Sequence, residues 1–298
     1  MSIPFLGIIL FQSPVNVKKP QQILIDSEIF FYMKIDYNCP ICSEDRKNVF
    51  DLTILNKYEV SYFYCENCGF LQTEEPYWLE EAYGDAIADA DTGLVARNIS
   101  ISKKLASVLF FLFKQDGRYL DVAGGYGMLT RMMRDIGFDF YWSDPYCENT
   151  LSKGFELSTT TPPFDAITAF EVLEHVYDPI EFIQESLNRA QTSTLIFSTE
   201  LFSNVPPAPS EWYYYLPETG QHISFYQIKT LQFIADKLCL TLYSYKDFHI
   251  FTNKKISSKL IWKLLANYRS SSLIASYVKL MMRAKSKTML DHYKMLKK

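Results

Sequence analysis

The sequence predicts an α/β protein: a mostly parallel sheet with helices on both faces, preceded by a small cysteine-rich ribbon and followed by a basic helical tail. Three observations carry this. Strand-like and helix-like runs alternate from Arg118 to about Lys254, the order that builds βαβ units. The stretch "YLDVAGGYG", residues 119–127, is an apolar run that ends in an acid and is followed by three glycines in four residues, the signature of a strand-to-helix turn. Upstream stand two Cys-x-x-Cys pairs, Cys39/Cys42 and Cys65/Cys68.

The elements follow in order. Residues 1–32 carry no motif and read as a non-native or disordered extension, with Met33 the expected start. Residues 33–75 form the ribbon, where "VFDLTIL" and "EVSYFYC" are β-rich runs between the Cys pairs. Residues 76–253 form the main domain. "PYWLEEAYGDAIADADTGLVARNISISKKLASVLFFLF" reads as mostly helical, with Pro76 and acids near its start. "RYLDVAG" is a strand and "GMLTRMMRDIG" a helix stopped by Gly137. "FDFYWSD" and "FDAITAFEVL" are strands, "DPIEFIQESLNRA" a helix and "STLIFSTEL" a strand. "SFYQIKTLQFIADKLCL" is a helix, and "TLYSYKDFHIFTNK" supplies one or two closing strands. In the tail, residues 254–298, Leu260, Ile261, Leu264, Leu265 and Tyr268 recur at helical spacing. After a serine-rich break, Leu273, Ile274, Tyr277, Val278 and Met281 repeat it. Two amphipathic helices are expected, either docked on the main domain or touching an anionic membrane surface or partner.

Composition limits the function classes. At 298 residues, 48% apolar and 21% charged, the chain can hold one full α/β domain and a smaller module. Aromatics reach 16% and gather at residues 58–64, 138–142 and 212–215, as core or as the lining of a cleft for a sugar or ring. A net charge of −4 disfavours a dedicated nucleic-acid binder. The charge is uneven, however. From Lys254 onward there are twelve Lys and Arg against one acid, Asp291, a local +11 that leaves −15 elsewhere. The run "IPFLGIILF" is far short of the ~20 residues that span a bilayer and lacks a basic n-region. A cytoplasmic protein is expected.

The glycine turn discriminates between ligands. A dinucleotide fingerprint places glycines at positions one, three and six; Gly125 and Gly127 meet the first two, but the third falls on Thr130. Asp121 stands where a pyrophosphate would lie and would repel it. S-adenosylmethionine has a sulfonium, an ammonium and no phosphate, and suits an acid there. "LDVAGGYG" resembles motif I of the class I methyltransferases, an acid followed by Gly-x-Gly-x-Gly. Asp121, Gly125 and Gly127 match, with Ala123 in place of the first glycine. Alanine suits such a turn while its φ stays negative.

Asp144 ends the next strand, 23 residues on. "FDAITAFEVLEHVYDP" is similar to the family's fourth-strand segment, and "GQHISFYQIKTL" to the segment after its fifth strand. The resemblance covers roughly residues 78–253. It implies a Rossmann-like methyltransferase fold with S-adenosyl-L-methionine as cosubstrate. Asp121, Ala123, Gly125 and Gly127 would form the binding turn, Asp144 would take the ribose hydroxyls, and Pro145 and Tyr146 would border the adenine. Glu171 would face the donor's ammonium. The bland alternatives are a capping role for Asp144 and simple packing for Tyr146; Asp165, which precedes its strand, reads as structural.

Cys39, Cys42, Cys65 and Cys68, with 22 residues between the pairs, can put four thiolates on one tetrahedral Zn²⁺. Four filled positions make a closed site, structural or substrate-docking; a reducing compartment disfavours disulfides. Cys147 and Cys239 read as unpaired. The order of ribbon, "YWLEEAYGDAIADADTGLVARN" and motif I resembles bacterial methyltransferases of sugar and surface-polysaccharide biosynthesis more closely than zinc-bearing ribosomal-RNA methyltransferases.

Methyl transfer needs alignment and, for a sugar hydroxyl or activated carbon, a general base. Of four histidines, His175 and His222 follow the fourth and fifth strands at the sheet's carboxyl edge, where open α/β folds bind ligands; His249 sits in a strand and His292 in the tail. His222 is the preferred base and His175 the second candidate. Glu171 and Glu200 end apolar strands at the same edge, either placed to bind the ammonium or orient the acceptor. The aromatic loop "SEWYYYLPETGQH" is an acceptor lid or a core-capping flap. An Asn/Asp-Pro-Pro-aromatic run is absent after the fourth strand, which disfavours methylation of a base amine. The expected activity is methyl transfer to a small-molecule or glycan acceptor, a nucleotide- or lipid-linked sugar, in the cytoplasm or at the inner membrane surface. The rival readings are an RNA methyltransferase with a zinc-ribbon docking module and a catalytically silent binding protein.

Overall fold

A computed structural model describes residues 38–84, 91–157, 163–256 and 258–297; the expectations for residues 1–32 and Met33 lie outside them. The ribbon is built from β1 (Lys47–Ile54), β2 (Tyr58–Tyr64) and β3 (Leu71–Thr73), paired antiparallel in that order. A fourth strand completes its sheet from far along the chain. This strand, β8 (Ser224–Phe225), sets Phe225 opposite Leu71 and Ser224 opposite Gln72. The expected boundary near residue 75 is therefore crossed by a sheet. The ribbon also packs into two cores shared with the main domain. Ile41, Cys68 and Phe70 pack with Leu120, Phe182 and Leu231 on one side, and Tyr62 and Trp78 with Tyr215 and Phe225 on the other.

The main sheet has six strands: β4 (Arg118–Val122), β5 (Asp139–Ser143), β6 (Ala166–Ala169), β7 (Thr194–Ser198), β9 (Thr241–Tyr245) and β10 (Phe248–Thr252), in spatial order β5-β4-β6-β7-β10-β9. The first four are parallel, and β10 runs antiparallel between β7 and β9. β6 and β7 are buried at every position, which is why they read as continuous apolar runs without alternation.

Helices cover both faces, as the sequence predicts. On one face lie α2 (Leu94–Leu112) and α3 (Met128–Ile136), whose Leu105, Leu109 and Met133 pack with Tyr119, Phe140 and Ile196. On the other lie α4 (Pro179–Ala190) and α5 (Ile228–Lys237), with Phe182, Ile183 and Ile234 inward. α4 starts where the Asp178 side chain accepts from the Glu181 N–H and Pro179 takes the first helical position. α3 ends at Gly137, whose φ of +127° few other residues adopt. The run expected to be mostly helical resolves into the short α1 (Leu79–Ala82) and α2, with residues 85–90 outside the described chain.

The tail forms three helices, α6 (Lys259–Ala266), α7 (Tyr268–Met281) and α8 (Thr288–Leu296), and docks on the main domain. Its inward residues are Trp262, Leu265, Ala266, Val278 and Met282. Most of the stripe read from the sequence points the other way: Leu260, Ile261, Leu264, Leu273, Tyr277 and Met281 are exposed. The reason is close packing of α7 on α2 through small residues. Ser271 and Ala106 are fully buried, and the Ser107 hydroxyl donates to the Ser271 carbonyl. α8 is held by Asp291, which receives two hydrogen bonds from Arg134, at 2.7 and 2.8 Å, and one from Arg131 at 2.9 Å. Among the described residues, no helix is long and apolar enough to cross a membrane.

Candidate active site

The carboxyl ends of β4, β5 and β6 meet at the rim of a cavity of about 1980 Å³. Its wall includes Asp121, Ala123, Gly125, Asp144, Pro145, Tyr146 and Glu171, along with His175 and His222. Gly127 starts α3 just beyond the lining, and a Cβ there would meet Asn149 Oδ1 at 2.7 Å. Most of the sequence-predicted binding residues are thus brought together. The ribbon contributes to the same wall through Arg46 and Phe63.

The turn after β4 spends its own donors. The Gly125 N–H donates to Asp144 Oδ2 at 2.9 Å, that of Gly127 to the Gly124 carbonyl and that of Gly124 to the Ser143 carbonyl. A phosphate cradle needs such N–H groups free. This geometry, with Asp121, Asp144 and Glu171 around it, fits a cationic nucleoside and not a diphosphate. The turn departs from expectation at one point. Ala123 has a φ of +54°, not a negative one, so it holds the left-handed conformation that the family's glycine would take.

The acids are differently engaged. Asp121 is fully buried, accepting from the hydroxyls of Thr168 at 2.7 Å and Thr130 at 3.4 Å. Burial pushes its pKa up to about 7 against the pull of those two hydroxyls. Asp144 Oδ1 accepts from the backbone N–H groups of Tyr146 and Cys147 at 2.7 and 2.9 Å. With Oδ2 on Gly125, most of its lone-pair capacity shapes the loop, and one site on Oδ2 is left toward the cavity. Glu171 exchanges two hydrogen bonds with Ser198 and lies 3.6 Å from Arg97 Nε, at a φ of +55°. Asp165 is structural, as expected, taking Lys114 at 3.0 Å and the Arg118 N–H at 3.1 Å.

Two histidines face each other across the other end of the cavity. His222 Nδ1 lies 2.7 Å from the Tyr214 carbonyl, and His175 Nδ1 lies 3.0 Å from the Gln221 carbonyl and 2.9 Å from the Tyr83 hydroxyl. A carbonyl can only accept, so Nδ1 carries the proton in both rings and Nε2 keeps a lone pair. Burial is the main cause that lowers His222 to about 3 and His175 to about 4. Both imidazoles are neutral proton acceptors.

Sequence reasoning missed the group beside them. Glu174 is fully buried, and among the described residues neither carboxylate oxygen has a hydrogen-bond partner. Burial first, then the Glu171 carboxylate, raise its pKa to about 8. Donor atoms of Glu174, His175 and His222 lie within 4.8 Å of one another, a set that could hold a proton or a cation. The quoted "EVLEHV" contained this glutamate, but nothing in a sequence shows that a carboxylate lacks partners.

Glu200 does not reach the site. It accepts from Trp212 Nε1 at 3.0 Å and the Tyr213 hydroxyl at 2.6 Å, and it is not part of the cavity wall. The candidate catalytic role for Glu200 is therefore replaced by an anchoring one. The aromatic loop it holds is anchored on the core and also walls the cavity: Tyr214 and Tyr215 are buried, Trp78 Nε1 donates to the Gly220 carbonyl and Gln221 to the Ala82 carbonyl, while Tyr213, Leu216 and Thr219 line the cavity. His249, also buried, is spent between Ser244 and the Thr199 carbonyl.

In the ribbon, the sulfurs of Cys39 and Cys68, and of Cys42 and Cys65, are each 3.4 Å apart, and all four lie within 4.8 Å. Four thiols so gathered fit a tetrahedral Zn²⁺, whose ~2.3 Å Zn–S bonds set sulfurs about 3.8 Å apart. Cys147 and Cys239 are free and lie elsewhere.

Residues 97–244, just under half of the chain, match a family described as a methyltransferase domain. Among solved structures the chain is similar to TnmH, with 16% identity over 60% of this chain and 62% of that one, at a TM-score of 0.41. It is also similar to an O-methyltransferase family protein from Burkholderia thailandensis, with 13% identity over 61% and 63% and a TM-score of 0.44. A third is the magnesium protoporphyrin IX methyltransferase ChlM from Synechocystis PCC 6803 with bound SAH, with 14% identity over 58% and 90% and a TM-score of 0.38. The chain spans little more than three fifths of the first two proteins. No curated protein matches its sequence.

Proposed function

We propose that this chain, part of which matches a methyltransferase domain, is a class I S-adenosylmethionine-dependent methyltransferase that methylates a hydroxyl of a sugar or glycan precursor, with His222 as general base. The carrying observation is that a neutral imidazole and the acid-lined glycine turn border one cavity. At about 1980 Å³ it exceeds the ~300–1000 Å³ of a single-ligand pocket and has room for donor and acceptor together.

S-adenosylmethionine, when bound, supplies an electrophilic methyl group on sulfonium. The chain's residues do the rest. Asp121, Asp144 and Glu171 give the turn a negative environment for the donor, and Gly125 and Gly127 let the backbone close on it. His222 Nε2 would take the hydroxyl proton of the acceptor as its oxygen gains the methyl group, the methyl–sulfur bond breaking and S-adenosylhomocysteine leaving as a neutral thioether. The Tyr214 carbonyl holds the ring in the right tautomer. His175 stands behind as second acceptor. Cys39, Cys42, Cys65 and Cys68 would hold a Zn²⁺ that braces the ribbon, which contributes Arg46 and Phe63 to the cavity wall.

A labelled-methyl assay against nucleotide-sugars, glycans and RNA tests the substrate class; transfer to RNA alone would overturn the sugar reading. His222→Ala should lower kcat by about 10²–10⁴-fold while donor binding by calorimetry is unchanged. Unaltered turnover would remove His222 from the mechanism.

A further inference from the structure

The outward surface of the tail combines two chemistries. Leu260 (68% exposed), Leu273 (79%) and Leu296 (70%) stand among Ile261, Leu264, Tyr277, Leu280, Met281, Met289, Leu290 and Tyr293, all exposed. In α7 these fall at 273, 277 and 280–281, and in α8 at 289–290, 293 and 296, one face of each helix. The apolar surface runs on to α2. There Phe111, 49% exposed, meets Phe110 edge-on at 4.9 Å, and Phe110 meets Tyr277 edge-on at 6.2 Å.

Between these groups Lys263, Lys279, Arg283, Lys285, Lys294 and Lys297 are exposed. The tail's single acid, Asp291, is turned inward and committed to Arg131 and Arg134. The outer face therefore carries aliphatic groups and positive charge, the tail's single carboxylate being turned inward and the exposed Asp135 of α3 beside α8 being held by Arg131 and the Thr288 hydroxyl.

We propose that residues 260–297 dock the protein on an anionic lipid surface, the helices lying in the interface plane. The combination selects this occupant. A second copy would set one cluster of uncompensated positive charge against another. RNA would satisfy the lysines and arginines and leave the leucines in water. A bilayer with acidic headgroups takes both at once: the aliphatic face enters the acyl boundary while the long basic side chains reach the headgroups. This inference is independent of the acceptor's identity. Its consequence for the site is positional, because α2, which carries part of this surface, lines the cavity at its other end through Arg97 and Ile101.

The test is co-sedimentation of the full-length chain with phosphatidylcholine vesicles and with vesicles that also contain phosphatidylglycerol. Binding to the mixed vesicles should exceed binding to the neutral ones by about tenfold or more and fall with added salt. The double variants Leu273→Ser/Leu280→Ser and Lys279→Glu/Lys285→Glu should each lose about tenfold, with unfolding temperatures unchanged because all four side chains are exposed. Equal partition into neutral vesicles, retention by the Leu→Ser variant, or single-stranded RNA that displaces the chain from vesicles would each overturn the proposal.

Discussion

His175 and His222 meet edge to face, ring centroids 4.8 Å apart, and each gives its Nδ1 proton to a backbone carbonyl. Two segments of chain thus bring two neutral imidazoles beside one buried carboxyl group, Glu174, with donor atoms of all three residues within 4.8 Å of one another. Both rings are neutral, and burial keeps them so by disfavouring the charged imidazolium.

The first consequence is a pH profile. With His175 lowered to about 4 and His222 to about 3, both chiefly by burial, neither ring charges near the ordinary imidazole value of about 6.5. At saturating donor, kcat should stay level between about pH 5 and 7. A fall in activity centred near pH 6.5 would show a base in an ordinary aqueous setting and exclude this pair.

Glu174 makes a prediction about stability. Its folded pKa, about 8, lies above its ordinary 4.5, so between these values the folded chain holds a proton that the unfolded chain releases. Stability is lost as pH rises through this window, and the deficit is complete above pH 8. Glu174→Gln removes the deficit. The variant should match the parent near pH 4 and be more stable by about 2–4 kcal/mol at pH 9, read by urea unfolding. Equal stability at pH 9 would mean that the carboxyl group finds a partner.

Ala123 stores strain in the glycine turn at a φ of +54°. Ala123→Gly should raise stability by about 0.5–1 kcal/mol, the relief of a left-handed alanine less the added freedom of the unfolded chain. Donor affinity should hold or rise. A loss of stability would mean that the methyl group packs more than it strains.

Much of this was legible in the sequence because periodicity and glycine placement report local structure. β4, α3, β5 and α4 stand where their patterns put them, with Gly127 and Gly137 at the ends of α3. The gathering of Asp121, Asp144 and Glu171 follows from strand order alone. Glu200 was misread because ending an apolar strand at the right edge does not decide which way a side chain turns, and Trp212 and Tyr213 claim it. β8 lay inside a run read as helical; its two residues are strand only because β3 offers them an edge. The tail's stripe was visible, but close contact at Ser271 and Ala106 chose a different face to bury. Such choices belong to tertiary packing, which no local pattern records.

The zinc proposed for the ribbon gives the fourth prediction. Zinc bound by Cys39, Cys42, Cys65 and Cys68 should be released at one equivalent per chain on thiol titration. Because the ribbon shares cores with both sides of the main domain, the stripped protein and Cys68→Ser should melt lower as a whole and not only in the ribbon. A stripped chain with unchanged melting would show the cysteines to be idle.

The pairing of Leu71 with Phe225 has a kinetic side. A growing polypeptide offers the edge of β3 to solvent through the making of more than a hundred further residues, until its neighbour β8 emerges at residues 224–225. Early translation products should accordingly need chaperone cover over that open edge, and refolding from denaturant should be governed by this late closure of a very long loop.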